Sequence, residues 1–539
     1  MVSIFRVAGI FSTQHGNVAT TPRKNKHRKT IAVTKLTAAE GYAPDRVSTG
    51  VEGLDEVLFG GLLRGGFYLV QGDPGSGKTT FALQFARSRA MAGESVLYIT
   101  VTETRKDLEL TARSHGWDLD SIQICDLSRS ENVADKQNTL FTTSEIELGQ
   151  TVKTILAEIE RVHPQHVIFD GTGELRMLAG DAFTYRRQML ALKHHFEEND
   201  TTAILLDDRT NRFGEVQPET VVGGNIVLEK SLPGYGGARR HLHVSKVRGS
   251  DFRSGYHDYE IAYGDGIVVH PRLVAAPVEE RYERETFSSG IAELDQMLGG
   301  GLSSGTTALL LGPAGVGKST VAMQFVVAAL KAGLPAAVYT FDEVLETFFE
   351  RSEKLCDRSV REYAENGLLR ARQINPADLS PGAFAQEVRQ VVKQQGSRIV
   401  VIDSLNGYIS AMPEERFLQT HLHELFAYLN ELGILSIMVV AQHGLLSIET
   451  EGIDVSYLAD TALLLRYFEA DGEVNQAISV FKKRTGRHER TIRQMGISDH
   501  GVIVGQKLTN LRGILTGVPV YTGREKLTPS DEMSMPSND

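Results

Sequence analysis

Gly72-Asp73-Pro74-Gly75-Ser76-Gly77-Lys78-Thr79 and Gly312-Pro313-Ala314-Gly315-Val316-Gly317-Lys318-Ser319 stand 240 positions apart and share one pattern, G-x-x-x-x-G-K-[ST]. Glycines at these places let the backbone turn tightly and aim successive N–H groups at a β-phosphate. The lysine neutralises β- and γ-oxygens, and the hydroxyl of Thr79 or Ser319 can ligate Mg²⁺. The pattern is the P-loop of nucleoside triphosphatases. It makes Gly72, Gly75, Ser76, Gly77, Lys78, Thr79 and Thr80 one set of ATP-binding candidates. Gly312, Gly315, Val316, Gly317, Lys318, Ser319 and Thr320 form the second.

Phosphoryl transfer needs carboxylates as well. His166-Val167-Ile168-Phe169-Asp170 and Ile399-Val400-Val401-Ile402-Asp403 read as buried strands ending in an acid, so Asp170 and Asp403 are candidates for holding Mg²⁺ through its water shell. Glu103 ends the strand-like run after the first P-loop helix, and Asp342-Glu343 end its counterpart. A carboxylate there could take a proton from water or from a hydroxyl substrate. Asp342 is also a metal candidate. The competing reading of Glu103 is an acid at a helix N-terminus, favoured by the macrodipole. Gln442, after Ile437-Met438-Val439-Val440-Ala441, reads equally as a γ-phosphate sensor or a polar strand cap.

These residues need a scaffold, and the chain supplies it twice. Gly50, Leu54 and Asp55 recur as Gly290, Leu294 and Asp295. A strand-like run precedes each loop, and an apolar helical pattern follows it (Thr80 to Phe85; Thr320 to Phe325). Strand, Gly-rich loop, helix is the context a P-loop requires. The expected fold is α/β, two tandem RecA-like P-loop domains with largely parallel sheets. The expected divisions are a disordered basic arm over 1–45, a first domain over 46–272 and a linker over 273–284. A second domain over 285–520 and a disordered tail over 521–539 complete the chain.

At 539 residues there is room for two domains and their ends, and 41% apolar content suits globular cores. A net charge of −11 gives no global basic field for nucleic acid. Two cysteines, Cys125 and Cys356, fit a reducing cytoplasm and exclude a Cys₄ zinc module. No apolar run has the length of a bilayer span, so no membrane association is expected.

The tandem P-loops, the G-[VI]-x-x-L-D lead-in and the acid positions together resemble the circadian clock ATPase family KaiC, over about residues 45–520. Further segments carry the likeness: Ala112-Arg113-Ser114-His115-Gly116-Trp117, His243-Val244-Ser245-Lys246-Val247-Arg248-Gly249-Ser250, Phe481-Lys482-Lys483-Arg484-Thr485-Gly486-Arg487-His488 and Asn510-Leu511-Arg512-Gly513. The resemblance implies Mg²⁺-ATP at subunit interfaces of a homohexamer. Ser114 would lie near the first nucleotide. Lys246, Val247, Arg248 and Ser250 would reach a neighbour's first-domain ATP, and Lys482, Arg484 and His488 a neighbour's second. It also implies a serine/threonine autokinase in the second domain. Counting back from Asp460-Thr461 puts the phosphoacceptors at Ser456 and Tyr457, the latter a bulkier residue than the family offers there.

The chain departs from the family elsewhere. Glu451 replaces a further hydroxyl, Phe252 a ring-interface histidine and Leu355 an aromatic near the second-domain acids. Thr102 stands where the first acid of a pair would be, so slower or differently tuned hydrolysis is expected in domain one. A KaiB-like partner is implied for the first-domain ring. A KaiA-like partner is not expected, because the end after Tyr521 lacks recognisable content. The alternatives are a RecA/DnaB-type DNA-dependent ATPase, which shares the core, and a nucleotide-gated scaffold without kinase activity.

Overall fold

Unbroken apolar runs such as Tyr68-Leu69-Val70 and Ile399-Val400-Val401-Ile402 exclude water on both faces, the signature of inner strands in a parallel sheet. They take that place in the computed structural model. The structure describes residues 45–128, 144–179, 181–209, 218–233, 237–274, 283–375, 379–410, 418–441, 449–450, 453–454, 456–470, 472–499, 501–515 and 520–521.

The first half runs β1 (Arg46–Val47), α1 (Leu54–Val57), β2 (Leu62–Leu63), β3 (Phe67–Gly72), α2 (Lys78–Met91), β4 (Val96–Thr100), α3 (Arg105–Ser114), β5 (Gln123–Asp126), α4 (Ser144–Val162), β6 (His166–Asp170), α5 (Thr172–Ala179), α6 (Ala182–Glu198), β7 (Thr202–Asp208), β8 (Gly224–Ser231), β9 (Arg239–Val247), β10 (His257–Ala262) and β11 (Gly266–His270). The second repeats the plan with β12 (Thr286–Phe287), α7 (Ala292–Met297), β13 (Leu302–Ser303), β14 (Thr307–Gly312), α8 (Lys318–Lys331), β15 (Ala336–Thr340), α9 (Leu345–Leu355), α10 (Val360–Glu365), β16 (Leu369–Gln373), α11 (Pro381–Gln395), β17 (Ile399–Asp403), α12 (Leu405–Ser410), α13 (Leu418–Glu431), β18 (Leu435–Ala441), β19 (Glu449–Thr450), β20 (Ile453–Asp454), β21 (Thr461–Ala470), β22 (Glu473–Lys483), β23 (Ile492–Ser498) and β24 (Gly501–Lys507).

Both halves build a nine-stranded sheet of one topology. The orders are β5-β4-β6-β7-β3-β8-β9-β10-β11 and β16-β15-β17-β18-β14-β21-β22-β23-β24. The six strands from β5 to β8 are parallel, as are their counterparts, and the last three are antiparallel. That is the two-domain RecA-like α/β fold expected from the repeat. Each sheet is covered on both faces. In the first half, Leu54, Phe81, Phe85 and Tyr98 fill one core and Leu97, Phe169, Tyr185 and Phe196 the other. Among the described residues no helix is long and apolar enough to cross a membrane.

The repeated lead-in has a structural job. Asp55 accepts the Thr49 N–H (2.9 Å) and hydroxyl (2.7 Å) and the Ser48 hydroxyl (2.6 Å). Asp295 accepts the Ser289 N–H and hydroxyl, both at 2.8 Å. The carboxylate folds the turn ahead of the sheet in both copies.

The halves meet where β10 and β11 face α11. Asp258, nearly fully buried, accepts the Gly382 N–H at 2.7 Å in the first turn of α11, where the helix dipole favours an anion. Gln386 donates to the Pro271 carbonyl. Leu273, just past β11, is buried with the second half's Phe384 and Leu309. Glu56 on α1 pairs with Arg253 of its own half (2.9 Å) and Arg389 on α11 (2.9 Å). Burial alone would raise the Glu56 pKa, but the charge and hydrogen bond of Arg389, then those of Arg253, hold it below its ordinary value.

A lowered carboxyl pKa stabilises the folded state above the unfolded value and loses that contribution as pH falls through the folded one. Docking of the two halves through Glu56 therefore weakens below pH 4.5. The pair is partly solvated, so its worth is under about 1 kcal/mol. Calorimetry should show Glu56→Gln separating the unfolding of the two halves slightly at neutral pH. Wild type should approach the mutant profile on acidification. Identical profiles at every pH would remove this pair from the coupling.

Candidate functional site

Each P-loop follows an inner strand and opens a helix. In the first, the Ser76 N–H closes the loop on the Asp73 carbonyl at 3.0 Å, and the buried Tyr259 hydroxyl donates to the Ser76 carbonyl at 2.6 Å. Gly77 caps α2 at φ 104°, and a Cβ there would meet Ile261 at 2.8 Å. Gly317 repeats this at φ 99°, against Ile497 at 2.7 Å. Only glycine serves at either position. Lys78 begins α2, with Nζ 2.8 Å from the Gly72 carbonyl and 2.5 Å from Asp208 Oδ1. Lys318 begins α8, donates to the Pro313 carbonyl at 2.7 Å, and has its pKa pulled down by burial. Thr80 and Thr320 are buried. So are Ser76, whose hydroxyl has no partner among the described residues, and Val316, which packs in the second core.

The acids gather at the same sheet edge. Asp170 ends β6 opposite Thr100 of β4 and accepts the Tyr98 hydroxyl at 2.8 Å. Burial pushes its pKa up to about 7 against that hydrogen bond, and the Glu103 charge adds to the rise. Asp403 ends β17, is also raised by burial, and accepts the Ser319 hydroxyl. The strands stop at Thr100 and Thr340, three residues before Glu103 and Glu343 and so earlier than the sequence suggested. The cause is local. The Thr100 hydroxyl accepts the Glu103 N–H at 3.0 Å and donates to its carbonyl at 2.7 Å, turning the chain out of the sheet. Thr340 donates likewise to the Glu343 carbonyl at 2.8 Å.

Glu103 Oε1 lies 3.4 Å from the Thr79 hydroxyl, and its Oε2 is buried with no partner among the described residues. Burial raises its pKa. The start of α3 is capped by Thr104 and Asp107 in a reciprocal capping box, so the helix end is satisfied without Glu103. In the second half, Asp342 accepts the Ser404 hydroxyl, and Glu343 is gripped by Arg351 at 3.0 and 2.7 Å. The Thr79 and Ser319 hydroxyls beside Glu103 and Asp403 form oxygen donor sets of the kind Mg²⁺ takes together with phosphates.

The basic candidates lie elsewhere. Strand register sets Val247 of β9 beside Gly224 of β8, and Gly224 beside Tyr68 of β3, whereas Gly72 at the loop end pairs with Leu228. Lys246, Val247 and Arg248 thus sit toward the start of β3, about 13 Å along the strand from their own P-loop edge. Lys246 donates to the Glu219 carbonyl and Arg248 to that of Thr220 at 3.4 Å. Ser250 accepts from Arg46 at 2.6 Å. Ser114 ends α3 and bonds the Thr111 carbonyl at 2.7 Å.

The second half matches. Lys483 pairs with Thr461, which pairs with Ala308 at the start of β14. Lys482 donates to the Ala459 carbonyl at 2.7 Å and Arg484 to Asp460 at 3.4 Å. His488 is half-buried beyond them. Ser456 and Tyr457 open a 3-10 turn, Ser456–Leu458, before β21 at that same edge. Tyr457 is exposed, its ring 6.3 Å from that of His423. Gln442, Glu451 and the Ser456 side chain lie outside the described residues. Phe252 packs on the first core, and Leu355 closes α9.

Sequence reading missed Asp208, Tyr98, Ser404 and Arg351. Asp208 was visible as the last acid of a buried run, but its pairing with Lys78 depends on β7 lying beside β3. Arg351 belongs to no motif. Tyr98→Phe in a Lys318→Ala background removes the donor to Asp170 and should weaken Mg²⁺-ATP binding to the first site about fivefold, for one hydrogen bond of about 1 kcal/mol. Titration calorimetry reads this directly, and unchanged affinity would detach Tyr98 from the site.

Comparison with known proteins places these pockets in context. The ATPase family KaiC matches residues 47–274 and again residues 287–509. The circadian clock protein KaiC3 of Synechocystis sp. is 25% identical over 90% of this chain and 96% of its own length. The circadian clock oscillator protein KaiC of Acaryochloris marina is 27% identical over 88% of this chain and 91% of its own. That of Synechococcus elongatus is 25% identical over 89% and 93%. With both halves matched, each carrying a complete phosphate loop on the same sheet topology, the chain belongs to the KaiC family of ATPases.

Proposed function

We propose that the protein is a KaiC-like ATPase working as a homohexameric ring, with Mg²⁺-ATP between protomers in both halves and a serine autokinase in the second acting on Ser456 of a neighbour. One observation carries this reading. The phosphate loops occupy one edge of each sheet, while Lys246 and Arg248, or Lys482, Arg484 and the Ser456 turn, occupy the opposite edge. A cation or acceptor hydroxyl there is badly sited for its own triphosphate and well sited for one on an adjoining protomer.

The roles follow from the chemistry. Lys78 and Lys318 neutralise the β- and γ-oxygens, and the P-loop amides cradle the β-phosphate. Mg²⁺, held by Thr79 or Ser319 and through its waters by Asp170 or by Asp403 and Asp342, would neutralise charge on the same oxygens. At the first site Glu103 accepts a proton from the attacking water. At the second, Asp342, beside Glu343, stands to accept the proton of the acceptor hydroxyl as the new P–O bond forms and ADP leaves. Lys246 and Arg248, and Lys482, Arg484 and His488, supply positive charge in trans to the transferring group. The relatives' names, circadian clock and clock oscillator proteins, support a regulatory output; its control by nucleotide and phosphorylation state, and a KaiB-like partner for the first-half ring, belong to the proposal alone.

Mixing Lys318→Ala chains with Ser456→Ala chains and γ-labelled ATP distinguishes transfer between chains from transfer within one. Label should appear on the peptide spanning residue 456 of the Lys318→Ala chain, and native mass should rise about sixfold from the protomer with Mg²⁺-ATP. A monomer under all nucleotide conditions would sink the ring, and an unlabelled peptide in wild type the kinase.

A further inference from the structure

The two copies treat their acids differently. Glu343 is held along one edge of a guanidinium: Arg351 Nε donates to Oε1 at 3.0 Å and Nη2 to Oε2 at 2.7 Å. Both side chains are largely shielded from solvent, at 20% and 24% exposure, so the pairing is not a loose surface contact. The guanidinium rests 5.8 Å from the centre of the buried Phe348 ring, and its Nη1 has no partner among the described residues. Its charge also reaches Asp403. In the first half the repeat offset puts Thr111 where Arg351 stands, and Glu103 Oε2 has no partner among the described residues.

The helix starts differ in step with this. Thr104 and Asp107 cap α3, whereas Val344 opens α9 with no side-chain cap. A merely structural account is therefore available: Arg351 ties down a turn that lacks a cap. A planar bidentate grip does more than that. It orients and engages both oxygens that a water proton would need and places a cation beside them.

We propose that Arg351 is a positioning residue that clamps Glu343 and so throttles hydrolysis at the second site, reserving its ATP for transfer to a side-chain hydroxyl, while the unclamped Glu103 leaves the first site free to hydrolyse. This rests on the ATPase and kinase reading above and, of the expected slower or differently tuned first half, argues against the slower. In the throttled step, water oxygen would bond to the γ-phosphorus as the bond to the β–γ bridging oxygen breaks. The water proton would pass to the carboxylate and then to the released phosphate, and ADP would leave. Clamped, Glu343 is turned away from that proton and takes it poorly. Asp342, engaged with the Ser404 hydroxyl, keeps one oxygen for an acceptor.

The test silences one base at a time without touching either P-loop. In full-length Glu103→Gln protein, Arg351→Thr should raise the second site's kcat for phosphate release about tenfold, within the range a positioned base supplies. KM for ATP should shift less than about twofold, and label on residue 456 should fall relative to phosphate released. Arg351→Lys, with a single ammonium to offer, should lie between. In Glu343→Gln protein, Thr111→Arg should slow the first site by a similar factor. Circular dichroism confirms folding. A purely structural Arg351 would lower melting temperature with kcat unchanged or reduced, and that result overturns the proposal. Should Arg351→Thr not fold, unaltered first-site turnover in Thr111→Arg overturns it instead. Failure of the parent chain to bind ATP at all would count against the ATPase reading, not the clamp.

Discussion

The constraint on which the rest depends is that a triphosphate needs several backbone N–H groups and a lysine converging on one point, in a place dry enough for them to count. A helix N-terminus entered through left-handed glycine meets it, and the chain meets it twice, at Gly77-Lys78 and Gly317-Lys318. Because both helices follow inner parallel strands, the strands one removed, β6 and β17, end at the same edge and deliver Asp170 and Asp403 there. Burial that strengthens the phosphate contacts also lifts the pKa of these carboxyls, and the charge of Mg²⁺ would offset that rise.

One edge of each sheet is thereby committed to phosphate, and the antiparallel extension of β9 or β22 returns its cations to the other. On the proposed function, donor and receiver would then lie on opposite faces. A heterologous arrangement of identical chains that closes into a ring would satisfy both at once. The first and second halves then differ in detail more than in plan. Glu103 meets no guanidinium among the described residues and lies beside the Thr79 hydroxyl, with its helix capped by other residues, while Glu343 is held by Arg351 across two turns of α9. Strand β10 also links the halves: Tyr259 supports the first phosphate loop, and its neighbour Asp258 receives an amide from α11 of the second half. Successive strand residues face opposite sides, so one strand serves both.

The sequence alone determined the two phosphate loops, the acids ending buried strands, the repeated lead-in and hence the fold. All of these are local patterns, set by glycine geometry and by apolar periodicity over a handful of residues, and repetition removed their ambiguity. Tertiary structure alone decided which side chains meet across the sheet. Lys78 finds Asp208 because β7 lies beside β3, and Tyr98 reaches Asp170 across 72 residues because β4 lies beside β6. The edge occupied by Lys246 and Lys482 follows from strand register. Whether an acid is free or gripped depends on which side chain the next helix turns toward it. Order and register of strands are set by the packing of the whole core, which no short segment encodes.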